Sequence, residues 1–354
     1  MKYSYTWLKE FVPRLPAPEK LASLIARHAF EVESVVKSGR DTILDVAVLA
    51  NRLPDAAGHI GFSREIAAIT KLAGKFPDTK PPKSVGKKFL DAAIKPRDLA
   101  PRYLGALVSV KIQPSPAWLR ERLTTLDIHT INNVVDITNY VMLECGHPLH
   151  AFDHSKIRGK KMTVRLAREG EKLETLDGSH LVLPGGVIVI QDAERIIDLA
   201  GIMGGANSAV DSKTKTIFLQ AANFDPARIH RAARKLGKRT DAAIRYAAGL
   251  DPNAAEVALA LAIELLKELA AGEVLGVLDI YPDRVVPARI LFHPARASAV
   301  LGTAIPEKEM RAIFERLGFD VETAPRVALR NQKRATLGAT GWTVVVPTAR
   351  RDIA

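Results

Sequence analysis

The chain has 354 residues, 47% of them hydrophobic and 25% charged. That length is too great for one ordinary hydrophobic core and fits two or three domains, and the composition excludes wholesale disorder. A formal net charge of +12 favours a polyanionic partner, RNA first, through long-range attraction and counterion release, although a basic protein without such a partner carries the same charge. Cys145 is the only cysteine, which excludes an internal disulfide and thiolate zinc clusters and agrees with a reducing compartment. Met1 to Glu10 contains no apolar secretory run, and no later stretch is long and apolar enough to span a bilayer. A cytoplasmic location without a membrane partner is expected.

Leu21, Leu24, Ile25 and His28 fall at helical spacing, and the alternating run Phe30 to Val35 predicts a strand. Thr42 to Val48 predicts another strand. The turn-rich Asn51-Arg52-Leu53-Pro54-Asp55 precedes a helix predicted over 63–72. These elements make a small N-terminal α/β domain, residues 1–78. Residues 75–98 are rich in Pro and Lys without sustained periodicity, so 79–98 reads as a linker. From Tyr103 onward, apolar runs such as Leu104 to Val110 alternate with helices and turns. The last helix of that region has Asp251 as N-cap, Pro252 at its first position, an apolar run from Val257 to Leu269 and Gly272 as its stop. It closes a central mixed α/β domain, 99–283. The remainder, 284–354, predicts two short helices at 294–301 and 306–317 and a strand at 342–347, and reads as a small helical domain. The fold class is α+β over several domains.

The common catalytic signatures are absent: no Gly-x-Ser-x-Gly, no His-Glu-x-x-His and no Walker-type loop. Gly201-Ile202-Met203-Gly204-Gly205 lacks the lysine of a phosphate cradle and reads as a tight turn that lets backbone approach a ligand or a neighbouring strand. His147 and His150 flank Pro148, which disfavours a helix offering both to one zinc ion. An isolated imidazole can orient water or take a proton near neutral pH, but is more often a structural hydrogen-bonder.

Longer motifs carry more information. Asn132-Asn133-Val134-Val135-Asp136-Ile137-Thr138-Asn139-Tyr140-Val141-Met142-Leu143-Glu144, running into His147-Pro148-Leu149-His150-Ala151-Phe152-Asp153, closely resembles the editing domain of bacterial-type phenylalanyl-tRNA synthetase beta subunits. The resemblance continues in the family's order through Leu173 to Gly178, Ala200 to Gly205, Phe224-Asp225-Pro226, Arg239 to Ala242 and Gly249 to Pro252. Trp7 to Val12 and His59 to Ile69 resemble the family's first structural domain, and Leu53 is one residue more than the family's turn carries, enlarging a loop.

The resemblance implies a beta subunit that partners an ATP-using alpha subunit in an alpha2beta2 heterotetramer, supports aminoacylation of tRNA(Phe), and hydrolyses tyrosine wrongly esterified to it. A free-standing deacylase, or an aromatic amino-acid or RNA-binding module without ligase activity, is the alternative. By motif position, Thr138, Asn139 and His150 line the editing pocket, Ala200 and Gly201 face them, and Thr240 and Ala242 form a further wall. His150 and Asn139 position the attacking water, and Gly201 lets backbone approach the aminoacyl end. Gln220 stands where the family commonly has the Glu that reads the tyrosine hydroxyl, and Ala247-Ala248 replace its Glu-Arg pair. The oligonucleotide-binding fold that the family inserts between Gly39 and Asp41 is missing. Pro347 to Ile353 resembles the entry to a magnesium-binding stretch, so Asp352 is expected as a single ligand of an incomplete Mg2+ site in a subunit shortened after the start of its third domain.

Overall fold

The computed structural model describes residues 1–81, 89–323 and 341–353. Its first sheet has the order β1-β3-β2, from β1 (Lys2–Ser4), β2 (Glu31–Ser38) and β3 (Asp41–Ala47). β2 and β3 meet through the two-residue turn Gly39-Arg40, with Ser38 opposite Asp41 and Gly39 at φ 59°. That left-handed conformation favours glycine. Helices Pro18–His28 and His59–Thr70 pack beside this sheet. The second starts before its predicted 63–72 span because Gly58, not a polar side chain, precedes it, and a Cβ at Gly58 would collide with the backbone of Cys145 and Gly146. Leu53 does not enlarge a loop: it opens the short helix Leu53–Ala56 and is buried.

The central region adds β4 (Asp91–Ile94), β5 (Arg102–Ser109), β6 (His150–Asp153), β7 (Lys161–Leu166), β8 (Glu171–Glu174), β9 (His180–Leu183), β10 (Ile188–Gln191), β11 (Ile196–Leu199), β12 (Met203–Gly204), β13 (Thr216–Asn223) and β14 (Glu273–Ile280). They form a four-stranded sheet β14-β5-β13-β6, a five-stranded sheet β12-β11-β10-β7-β4 and the hairpin β8-β9. β4 corrects the linker expected at 79–98: its residues pair in parallel with Lys161 to Val164 of β7, while residues 82–88 lie outside the described residues.

Two hydrophobic cores meet at β13. Ile217, Leu219 and Ala221 join helices Asn133–Cys145 and Ala254–Ala270 and the N-terminal unit in one core, whereas Phe218 and Ala222 join the five-stranded sheet in the other. This is the alternation of a strand covered on both faces. Helix Ala254–Ala270 begins later than predicted because the Asp251 carboxylate accepts from Asn253 N at 2.9 Å and from Thr348 Oγ1 at 2.7 Å. β5 is anchored by the buried Arg102, whose guanidinium donates to both oxygens of Asp279, to Glu256 and to Pro252 O, and lies over Tyr281.

The C-terminal unit is not purely helical. Helices Pro294–Leu301 and Glu307–Arg316 accompany a sheet of order β15-β17-β16, from β15 (Ala288–Phe292), β16 (Asp320–Thr323) and β17 (Trp342–Val346).

The N-terminal unit is locked to the central region through His59, which is buried and stacked on Trp7 at 4.0 Å. Its Nε2 accepts from Ser4 N at 3.0 Å, so the proton sits on Nδ1 and is donated to Leu143 O at 2.8 Å. Burial lowers its pKa to about 3. Replacing His59 by Leu strands a buried N–H and a buried C=O, and a loss of about 2–4 kcal/mol is expected from urea unfolding. An unchanged midpoint would contradict this reading of the lock.

Candidate functional site

β13 places Gln220 directly between Gly105 of β5 and His150 of β6. Its side chain leaves the strand on the same side as Phe218 and Ala222, toward the space between the two sheets. Gln220 is only 3% exposed, and its Oε1 has no hydrogen-bond partner among the described residues. A buried acceptor without a donor is costly unless a ligand or water supplies one. Gly105 keeps this row open, since a Cβ there would lie 2.5 Å from the Phe218 ring.

The His150 imidazole meets Phe152 edge-on at 4.4 Å between ring centres. On its other side is Gly204 of β12, where a Cβ would stand 2.5 Å from His150 Cε1 and 2.7 Å from Nε2. No hydrogen bond to either ring nitrogen occurs among the described residues. Burial lowers the His150 pKa to about 4, so the ring is neutral at pH 7 and can accept a proton or a hydrogen bond.

Ala200 and Gly201 form the turn from β11 to β12. Gly201 has φ 68°, and a Cβ there would come within 3.1 Å of Ile229, Phe224 and Tyr246. The glycine thus serves a left-handed turn and packing onto those side chains. The missing side chain that makes room at His150 is that of Gly204, which sequence reasoning passed over as a site residue. Thr240 caps helix Asp241–Ala247 by accepting from Ala243 N at 3.1 Å, and its hydroxyl donates to Ile202 O at 2.9 Å, tying the helix to the turn. Ala242 packs on the same inter-sheet core.

Thr138 and Asn139 are not joined to this group by any hydrogen bond among the described residues. Their helix, Asn133–Cys145, sends Val134, Ile137 and Val141 into the core on the other face of the four-stranded sheet, and Thr138 Oγ1 donates back to Val135 O at 2.6 Å. The same helix packs against β6, the strand that carries His150.

Asp198 was also missed. It lies on β11 directly opposite Gly204, is 3% exposed, and has no hydrogen-bond partner among the described residues. Burial pushes its carboxyl pKa well above the ordinary range, and its charge would act on Tyr103 and Tyr246. The signal was a lone acid within the apolar strand Ile196-Ile197-Asp198-Leu199.

Asp352 does not fit a divalent ion by itself. Its two oxygens accept from Arg350 Nε and Nη2 at 2.9 and 3.0 Å, and no three His, Cys, Asp or Glu side chains converge among the described residues. Ala247 and Ala248 line a separate cavity of about 990 Å³, between the N-terminal unit and helices Pro226–Leu236 and Asp241–Ala247. None of the expected pocket residues lines it.

Residues 99–271 match the B3/4 domain, and residues 290–354 match the tRNA synthetase B5 domain. The chain is 39% identical over 315 residues to the phenylalanine--tRNA ligase beta subunit of Carboxydothermus hydrogenoformans, covering 88% of this chain and 38% of that protein. It belongs to the phenylalanyl-tRNA synthetase beta-subunit family. The beta subunit of Gloeobacter violaceus is 42% identical over 81% of the chain and 36% of its own length, and that of Thermotoga maritima 36% identical over 88% and 38%. The chain thus spans well under half the length of these relatives. An N-terminal fragment of the phenylalanyl-tRNA synthetase beta-subunit from Pyrococcus horikoshii shares the fold, with a TM-score of 0.51 at 14% identity, over 100% of this chain and 95% of that one.

The fit of His150 against Gly204 predicts the outcome of Gly204→Ala. The new methyl group displaces the imidazole toward water, and the His150 pKa moves from about 4 back toward the ordinary histidine value. A nitrogen NMR titration that leaves it near 4 contradicts the packing.

Proposed function

We propose that this chain is the proofreading portion of a phenylalanyl-tRNA synthetase beta subunit, hydrolysing tyrosine wrongly esterified to tRNA(Phe). In this reading an alpha subunit performs ATP-dependent adenylation and transfer, within an alpha2beta2 heterotetramer. One observation carries the proposal: an imidazole with a depressed pKa and an unpaired amide oxygen stand side by side on neighbouring strands, facing the apolar core between the sheets.

The chemistry follows from those two groups. A pocket built for phenylalanine cannot strongly reject a ligand that only adds a hydroxyl, so a second site must read that hydroxyl. Gln220 accepts the phenolic O–H through Oε1. The acceptor is uncharged, so its hydrogen bond is roughly half as strong as one to a carboxylate, which weakens tyrosine selectivity without abolishing it. His150 accepts a hydrogen bond from water and directs the water oxygen at the ester carbonyl carbon. The acyl–oxygen bond to the ribose breaks, the ribose oxygen takes up a proton, and free tyrosine and uncharged tRNA leave. A pKa near 4 makes His150 an orienting group and a weak base.

His150→Ala is expected to lower hydrolysis of tyrosyl-tRNA(Phe) on the order of 100-fold with the fold intact, and an unchanged rate would remove His150 from the reaction. Gln220→Glu should raise the tyrosine-to-phenylalanine ratio several-fold, and an unaltered ratio contradicts its role. Protonation of the ring abolishes its acceptor, and its pKa is depressed. The rate should therefore stay flat over roughly pH 5.5 to 8 and fall only as the pH approaches 4. A midpoint near the ordinary histidine value contradicts the depressed pKa. Co-purification with an alpha subunit tests the complex.

A further inference from the structure

We propose that Asp198 is a specificity-determining residue of the same pocket, forming with Gln220 a two-sided clamp on the phenolic hydroxyl of the substrate. The inference rests on the proofreading reading and extends it to a group on the opposite sheet.

Asp198 and Gly204 are direct partners in an antiparallel strand pair, so the Asp198 side chain leaves the sheet on the side to which a Gly204 Cβ would point. A Cβ there would run into the His150 ring, and His150 is the direct partner of Gln220. Asp198, Gly204, His150 and Gln220 therefore form a continuous run of neighbours across the gap between the sheets. Tyr103 of β5 and Tyr246 of helix Asp241–Ala247 are close enough to feel the Asp198 charge. The aspartate thus faces the inter-sheet core from the five-stranded side, as Gln220 does from the four-stranded side.

A carboxyl this buried normally has a cation, a backbone N–H or a hydroxyl as partner, whereas Asp198 has no hydrogen bond among the described residues. Gln220 Oε1, on the facing sheet, is also unpaired. Two unpaired polar groups on opposite sides of one apolar core suit a ligand that is aromatic in its body and carries one group able both to donate and to accept. A phenol is such a ligand. Burial raises the pKa of the Asp198 carboxyl and so favours its protonated form. The protonated carboxyl donates to the phenolic oxygen while Gln220 accepts the phenolic proton. Phenylalanine leaves both groups unpaired and is rejected on that account.

The test compares the parent chain with Asp198→Ala and Asp198→Asn. Binding of free L-tyrosine and L-phenylalanine is measured by calorimetry, hydrolysis of tyrosyl- and phenylalanyl-tRNA(Phe) by release of amino acid, and Tm by thermal unfolding. Asp198→Ala should lower the tyrosine preference on the order of tenfold, with phenylalanine values unchanged and Tm equal to or above the parent's, because an unpaired buried carboxyl has been removed. Asp198→Asn keeps a donor and should keep most of the preference. An Asp198→Ala chain with the parent's preference overturns the clamp, as does one whose Tm falls while both amino acids are affected equally, the mark of a structural carboxyl. A parent chain that prefers tyrosine in binding but hydrolyses neither ester overturns the proofreading reading alone, with the clamp still judged by binding. A parent that does not prefer tyrosine overturns the clamp whatever its hydrolysis.

Discussion

The strand β13 is the constraint on which the site depends. It is hydrogen-bonded on both edges and covered on both faces, so its period of two has a fixed phase: Ile217, Leu219 and Ala221 toward the helices, Phe218 and Ala222 toward the second sheet. Gln220 falls in the second set and points its amide between the sheets. A slip of one residue would turn Gln220 to the helices and bury the wrong set on each face. Full pairing with β5, from Thr216 opposite Ser109 to Asn223 opposite Arg102, resists that slip. The buried Arg102, bound to Asp279 and Glu256, holds β5 in turn to β14 and to helix Ala254–Ala270.

The polar groups of the gap are held by their surroundings, not by one another. His150 is wedged between Phe152 and Gly204, and desolvation lowers its pKa to about 4, so the ring is neutral at pH 7. The Ala200–Gly201 turn is braced by Thr240, whose hydroxyl both caps a helix and bonds Ile202 O. This leaves His150, Gln220 and Asp198 without internal hydrogen-bond partners among the described residues, an arrangement that sacrifices some stability and leaves their polar atoms free for a ligand.

Periodicity made the helix Pro18–His28 and the strand β3 legible, since each buries one face against a nearby element, and made legible β2, which pairs with β3 along its length. It failed for β4, a short segment of small residues whose strand character comes from parallel pairing with β7, far along the chain. It failed as well for β15 and β16, edge strands that become recognisable only beside β17. In the site, motif resemblance named His150 and Gln220, and strand register brings them together. It also grouped Thr138 and Asn139 with His150; their helix sends Val134, Ile137 and Val141 into the other core and packs on β6. Gly204 and Asp198 act through contacts across strands, which a linear pattern does not display.

The central claim concerns where an aromatic aminoacyl group sits. A crystal structure of the chain with a non-hydrolysable analogue of the tyrosylated tRNA 3′ end tests it most directly. The account predicts the phenolic ring between the two sheets, its hydroxyl within hydrogen-bond distance of the Gln220 amide, and the acyl carbonyl beside His150. An analogue seated instead in the cavity lined by Ala247 and Ala248, with the inter-sheet space closed, would contradict it.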